Sequence, residues 1–475
     1  MSFPYVLDAT GRLAEADDAI DDTKELIRSW IADRAADDGE SARVFGRFGR
    51  HFTTLQDVLD RMLDAIAKSL HEPPEPTGGL AYERSRTAER RVGKVRATFR
   101  WYATKYEQRE PRGPDGYDHV LLAADEMVRS CFDTAFARTK TPRPPNPLCY
   151  LDEHFDAAAT PRVQPPSGIP AGDEVVGEFV RKLPIPAIAL PVTCLDKPWW
   201  LAVVAHEVGH HVYFDLDPCL EQATQTRVTD AAKAAGDEEV IEAWRRWSTE
   251  AFADLWSVLM VGGTVGSMVA QLSAAEPPHL VTLAGSTSLY PPVLVRLALF
   301  GELARQLGVE PAGPSATDIT SLLGAHPYKA VDPLSREEHL THLAVVPKIA
   351  RALLDIESGG HTMLDVSGFN GDLLRSGGRA DSWSLELFND IPVLTPVDRA
   401  WSARTLVTAA ARHAADIPVG AADRPQRESK LRAYLLETLP RTGQAGVLAE
   451  ERQPSAVDAS GIADDLVGLL FKEVQ

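Results

Sequence analysis

Residues 199–214 read WWLAVVAHEVGHHVYF and residues 244–259 read WRRWSTEAFADLWSVL, two apolar stretches that each carry a pair of polar residues four apart. In the first, His206 and His210 stand four apart in an apolar run. On a helix that spacing puts both imidazoles on one face, where they can reach a single metal ion, while Glu207 flanks the coordination site. Burying a glutamate and three histidines in such a run without a metal or partners would cost several kcal/mol. His211 points about 100° away from His210 and reads as a satisfied core or surface histidine rather than a ligand.

A catalytic zinc keeps three protein ligands and an open fourth position, so two histidines need one more donor. The second stretch offers Glu250. Its apolar residues at 244, 247, 251, 252, 255, 256, 258 and 259 predict a buried helix. The spacing of Glu250 and Asp254 puts them on one face, so Glu250 can bind metal while Asp254 accepts the second ring N–H of a ligating histidine. Asp215 and Glu221 are the rival donors.

Together these motifs resemble the gluzincin metallopeptidases, the thermolysin-like group with HExxH followed by a second helix carrying ExxxD. The likeness covers roughly residues 185 to 300. It implies a zincin-like catalytic domain, with Zn2+ held by His206, His210 and Glu250, Glu207 as general base and Asp254 as the partner of His206. A metzincin would carry a glycine and then a histidine or aspartate where this chain has Tyr213 and Leu216, so that class is rejected. The expected reaction is amide hydrolysis, Glu207 taking a proton from the attacking water and returning it to the leaving amine. For the oxyanion the first candidate is Tyr290, with Arg296, His326 and Tyr328 behind it. Tyr290 precedes Pro291 and Pro292 in a segment that opens a helix and resembles the His/Tyr-Pro-Pro-to-Arg element of some HExxH peptidases.

Residues 185–193, IPAIALPVT, predict a short strand, and prolines at 186 and 191 predict that it lies at a sheet edge. An edge strand beside a metal cleft would pair with an extended peptide; the competing reading is a plain strand capping the core.

Composition narrows the partners. The 475 residues carry a net charge of −19, which argues against general nucleic-acid binding. Residues 83–112 are the local exception, with ten Lys/Arg against four acids around Phe99, Trp101, Tyr102 and Tyr106. A solvated helix face is the favoured reading there, a nucleic-acid or acidic-partner surface the other. Cys131, Cys149, Cys194 and Cys219 are widely spaced and read as reduced thiols. The first residues show no basic segment followed by an apolar core, so the expected location is cytoplasmic. Leu255 to Ala275 is free of charge over 21 residues, but three glycines and several polar residues interrupt it. It reads as the buried end of the glutamate helix, a glycine turn and a second core segment rather than a membrane span.

The fold class expected is mainly α with a small β-sheet, in three regions. These are a helical N-terminal region (1–145) serving substrate access, a regulatory partner or autoinhibition, a metallopeptidase domain (146–358) and a helical C-terminal region (359–475). Helices are predicted at 23–35, 54–70, 82–108, 118–138, 335–356, 397–415, 428–438 and 462–471, with loops at 72–79, 161–170 and 442–460. Two function classes follow: a zinc peptidase acting on a peptide or protein, or a regulatory protein whose zinc site is inactive or structural. Glu207 favours the first, because a structural site has no use for a base beside an open position.

Overall fold

The computed structural model describes residues 9–35, 44–73, 79–110, 117–139, 141–152, 158–160, 174–183, 185–273, 276–281, 288–309, 313–330, 333–389, 399–443 and 459–472. The expected loops at 72–79, 161–170 and 442–460 lie wholly or largely outside them. The protein is mainly helical with a small β component. The chain forms two compact units, one of residues 1–118, 160–187 and 444–475, the other of residues 119–159 and 188–443. The three successive regions expected from the sequence are therefore not the grouping that contacts produce, because segments far apart in the chain share each core.

In the first unit, helices Ala9–Arg34, Gly49–Leu70 and Gly79–Glu107 pack on one another, and Ala459–Lys472 joins Gly49–Leu70. Spacing explains the packing: Phe52, Leu55, Leu59, Met62, Ile66 and Leu70 recur every three or four residues and all are buried. Trp30 meets Phe52 and Phe99 edge to face, with ring centroids at 5.7 and 5.5 Å. The aromatic residues of the basic stretch lie in this core. Phe99, Trp101, Tyr102 and Tyr106 are buried, and the Tyr102 hydroxyl donates to the Ile185 carbonyl at 3.1 Å. All four rings face this core.

The second unit opens with helix Asp118–Thr139 and holds nearly all of a three-stranded sheet. Its strands are β1 (Leu148–Asp152), β2 (Ala158–Thr160) and β3 (Ala187–Pro191), ordered β1-β3-β2. This corrects the edge-strand expectation: β3 is central and buried throughout. The prolines allow it because Pro186 precedes the strand and Pro191 ends it, so neither removes a donor from the middle of the ladder. A two-stranded antiparallel ribbon, β4 (Glu357–Ser358) with β5 (His361–Thr362), is the other sheet among the described residues.

The second unit also holds the histidine helix (Val204–Asp215), the glutamate helix (Ser248–Val261), the arginine helix (Val293–Leu307) and the long helix Pro333–Leu354. The glutamate helix is the centre of the core: every residue from Glu250 to Val261 is buried, Trp256 and Phe252 among the largest. A helix buried on every face must be covered on all sides, its polar pair Glu250 and Asp254 included.

The charge-free run divides as its glycines predict. The glutamate helix ends at Val261, Gly262 takes φ 65° and ψ −157°, and a new helix runs Thr264–Leu272. No helix among the described residues is long and apolar enough to cross a membrane. The Gly262 conformation belongs to a region that only glycine enters without strain. Gly262→Ala should therefore lower unfolding stability by about 1–3 kcal/mol in a denaturant titration. Gly236→Ala, at φ 70° in open space, should cost less. Equal costs would refute this account of the break.

Candidate metal centre

The site forms where the histidine and glutamate helices cross antiparallel. His206 faces Asp254, His210 faces Glu250, and Tyr213 reaches Ser248 and Thr249, so rising numbers on one helix meet falling numbers on the other. With both helices carrying their polar pair at i and i+4, an antiparallel crossing matches the pairs residue for residue.

What lets the helices come so close is Gly209. A Cβ built there would lie 2.8 Å from Ala253 Cα and 3.0 Å from Trp256 Cβ. Glycine inside a helix costs roughly 0.5–1 kcal/mol relative to alanine, and here the absent side chain leaves room for the partner backbone. Reading the sequence for chemistry overlooks this residue. The signal that reveals it is a glycine in mid-helix, which calls for a packing reason.

Ligand atoms of His206, His210 and Glu250 all lie within 4.8 Å of one another. His206 Nε2 is 3.3 Å from Glu250 Oε2, and His210 Nε2 is 3.5 Å from Glu250 Oε1. Ligands bound at about 2.0–2.1 Å to a tetrahedral zinc stand roughly 3.3–3.5 Å apart, which is the separation of each histidine from the Glu250 carboxylate. Glu250 Oε2 is buried and accepts no hydrogen bond of good geometry, an orphaned anionic oxygen that a cation would satisfy. His206 Nδ1 lies 3.0 Å from Asp254 Oδ1, the placement by which a carboxylate fixes a ligating imidazole. Among the described residues, Asp215, Glu221 and His211 do not join this group.

Arg296 occupies a different place from the one the sequence suggests. Its guanidinium grips Asp254 as a fork, Nε at 2.9 Å from Oδ2 and Nη2 at 2.7 Å from Oδ1. The same Nη2 stands 3.2 and 3.0 Å from His206 Nδ1 and Nε2. One atom cannot lie along both lone-pair directions of an imidazole, so it sits against the ring's nitrogen edge. Arg296 thus holds Asp254, which holds His206. Tyr290 is 45% exposed in the turn ahead of this helix, where Ser288 Oγ accepts from its backbone N–H at 3.1 Å and the Trp247 indole donates to Ser288 O at 3.1 Å. His326 is exposed, and Tyr328 packs partly buried against the core.

Charge explains why these groups tolerate burial. Burial opposes the Arg296 charge, but Asp254, Glu250 and Glu207 outweigh it and raise its pKa. Burial and Arg296 also oppose protonation of His206, yet Asp254 and Glu250 hold it up at about 9. Burial pushes His210 down to about 4 against the pull of Glu250. Glu250, although burial favours its neutral form, is kept at about 2 by the two histidines and Arg296. Arg296 beside the carboxylates of Glu207, Glu250 and Asp254 leaves an excess of acidic over basic groups, a donor set that suits a divalent cation. No family model, curated protein or solved structure matches the chain.

These ionisation states give a signed prediction. Between about pH 5 and 8 the metal-free site holds one displaceable proton, on His206, while His210 is neutral and Glu250 charged. Zinc affinity measured by chelator competition should rise about tenfold per pH unit in that window and level off above about 9. Calorimetry in buffers of different ionisation enthalpy should count one proton released. A pH-independent affinity would contradict the assignment.

Proposed function

We propose that this protein is a zinc-dependent peptidase of gluzincin type. The observation that carries the reading is the close His206–His210–Glu250 group, with a buried Glu207 on the same helix as the two histidines. A zinc ion held there supplies Lewis acidity toward a carbonyl and makes water acidic near neutral pH. Glu207 takes the proton from the attacking water and delivers it to the leaving amine. Its carboxylate adds to the negative field at Arg296, which supports this role. Asp254 and Arg296 keep His206 oriented, and the apolar walls of both helices keep bulk water from the ligands.

With β3 in the middle of its sheet, peptide specificity draws no support from a free strand edge there, and the metal chemistry alone supports a peptide substrate. Tyr290, exposed at the head of the arginine helix, remains our candidate for binding the oxyanion. Four free thiols, three of them buried, support a cytoplasmic setting. A structural zinc site in a regulatory protein would leave Glu207 without a task.

The decisive comparison is wild type against Glu207→Gln. The variant should keep its fold and about one zinc per chain, because an isosteric amide leaves coordination and packing alone, while hydrolysis of a peptide library falls by about 10² to 10⁴. Equal turnover by the two proteins, or a zinc-loaded wild type inert toward every peptide, would overturn the proposal.

A further inference from the structure

Trp247 caps the glutamate helix and heads a stripe along it: Trp247, Glu250 and Asp254 stand at i, i+3 and i+7, on one side of the helix. The segment that enters the arginine helix is tied to both ends of that stripe. The Trp247 indole N–H donates to Ser288 O at 3.1 Å, and Arg296 Nη2 donates to Asp254 Oδ1 at 2.7 Å. Rising numbers meet rising numbers, so the two segments run in the same direction, and Glu250 falls between the ties. The Ser288 tie is therefore about one helical turn, about 5 Å along the axis, from a proposed metal ligand.

The tie is stiff on the tryptophan side. Trp247 is buried, and its ring packs against Trp244 and His342 with centroids at 5.5 and 4.9 Å, which fixes the direction of the N–H. On the other side Ser288 passes the constraint on. Its Oγ accepts from the Tyr290 N–H at 3.1 Å and donates to Tyr290 O at 3.0 Å, so what fixes Ser288 also fixes the backbone of Tyr290. Leu289 and Tyr290 themselves are exposed. A group that binds a developing charge has to be held within about 0.5 Å of its productive position, and an exposed side chain on a turn needs a rigid neighbour to achieve that.

We propose that Trp247 is a positioning residue for Tyr290, its indole N–H holding the Ser288–Tyr290 turn against the ligand helix so that the phenol is placed for the oxyanion. This rests on the reading of Tyr290 as the oxyanion donor. The role lies in the N–H, whereas packing of the core requires only the ring.

That distinction sets the experiment. Trp247→Phe removes the donor and keeps an aromatic ring against Trp244 and His342. Benzothienylalanine at the same position, matching the indole in shape with sulfur in place of N–H, repeats each measurement with the ring stack intact. In both, backbone amide exchange at Tyr290 should quicken by about fivefold or more, the equivalent of one neutral hydrogen bond. On the zinc-loaded full chain kcat for peptide hydrolysis should fall by a similar factor, about fivefold or more, with KM and zinc content unchanged. In a Tyr290→Phe background the same replacements should lower kcat no further, because two residues acting through one group are not additive. Unchanged exchange at Tyr290, or a full additional loss of kcat in the Tyr290→Phe background, would overturn the proposal. A zinc-loaded wild type inert toward every peptide would instead sink the peptidase reading, and the exchange rate at Tyr290 would then decide alone whether Trp247 holds the turn.

Discussion

The candidate centre depends on one close approach, the backbone of the glutamate helix at Ala253 resting where Gly209 has no side chain. Two helices meeting through ordinary side chains keep their axes 8–10 Å apart, and the carboxylates of one would then fall short of the imidazoles of the other. The glycine removes that spacer at the middle of the crossing. His206 and His210 on one side, Asp254 and Glu250 on the other, consequently meet at 3.0 to 3.5 Å. Tyr213, one turn further on, packs against Phe252 with ring centroids at 5.1 Å and fixes the angle of the crossing. The apolar residues of both helices therefore position the chemistry as well as making the core.

Closeness creates an electrostatic demand. Three carboxylates, Arg296 and two imidazoles share a space shielded from water, where an unmatched charge costs several kcal/mol. The chain answers with ranked partners: Arg296 grips Asp254 through two nitrogens, Asp254 faces His206, and Glu250 spans both histidines. Removing any one member leaves another charge buried and unmatched. The arrangement consequently responds as a unit, and its ionisation is set by the group rather than by any single residue.

Much of this was legible in the sequence, where local spacing carries the information. The i, i+4 pairs of both motifs place four functional side chains on facing helices, and predicted helices such as 118–138 and 397–415 correspond to Asp118–Thr139 and Arg399–Asp416. The break after Val261 was readable because glycine chemistry is local. What the sequence hid is non-local. β3 is central because β1 and β2 arrive from residues 148–160, a fact no property of residues 185–193 encodes. The same holds for the two units, whose cores recruit segments hundreds of residues apart. Arg296 was singled out by its position after two prolines, but that it grips Asp254 follows only from where its helix packs.

Any catalysis here requires first that two imidazoles and the Glu250 carboxylate form one metal site. X-ray absorption at the zinc edge of the loaded protein measures this directly. It should report only nitrogen and oxygen neighbours at about 2.0–2.2 Å, with the multiple-scattering signature of two imidazoles. That signature should drop to one imidazole in His210→Ala. A sulfur neighbour at about 2.3 Å, or a wild-type spectrum preserved in His210→Ala, would contradict it.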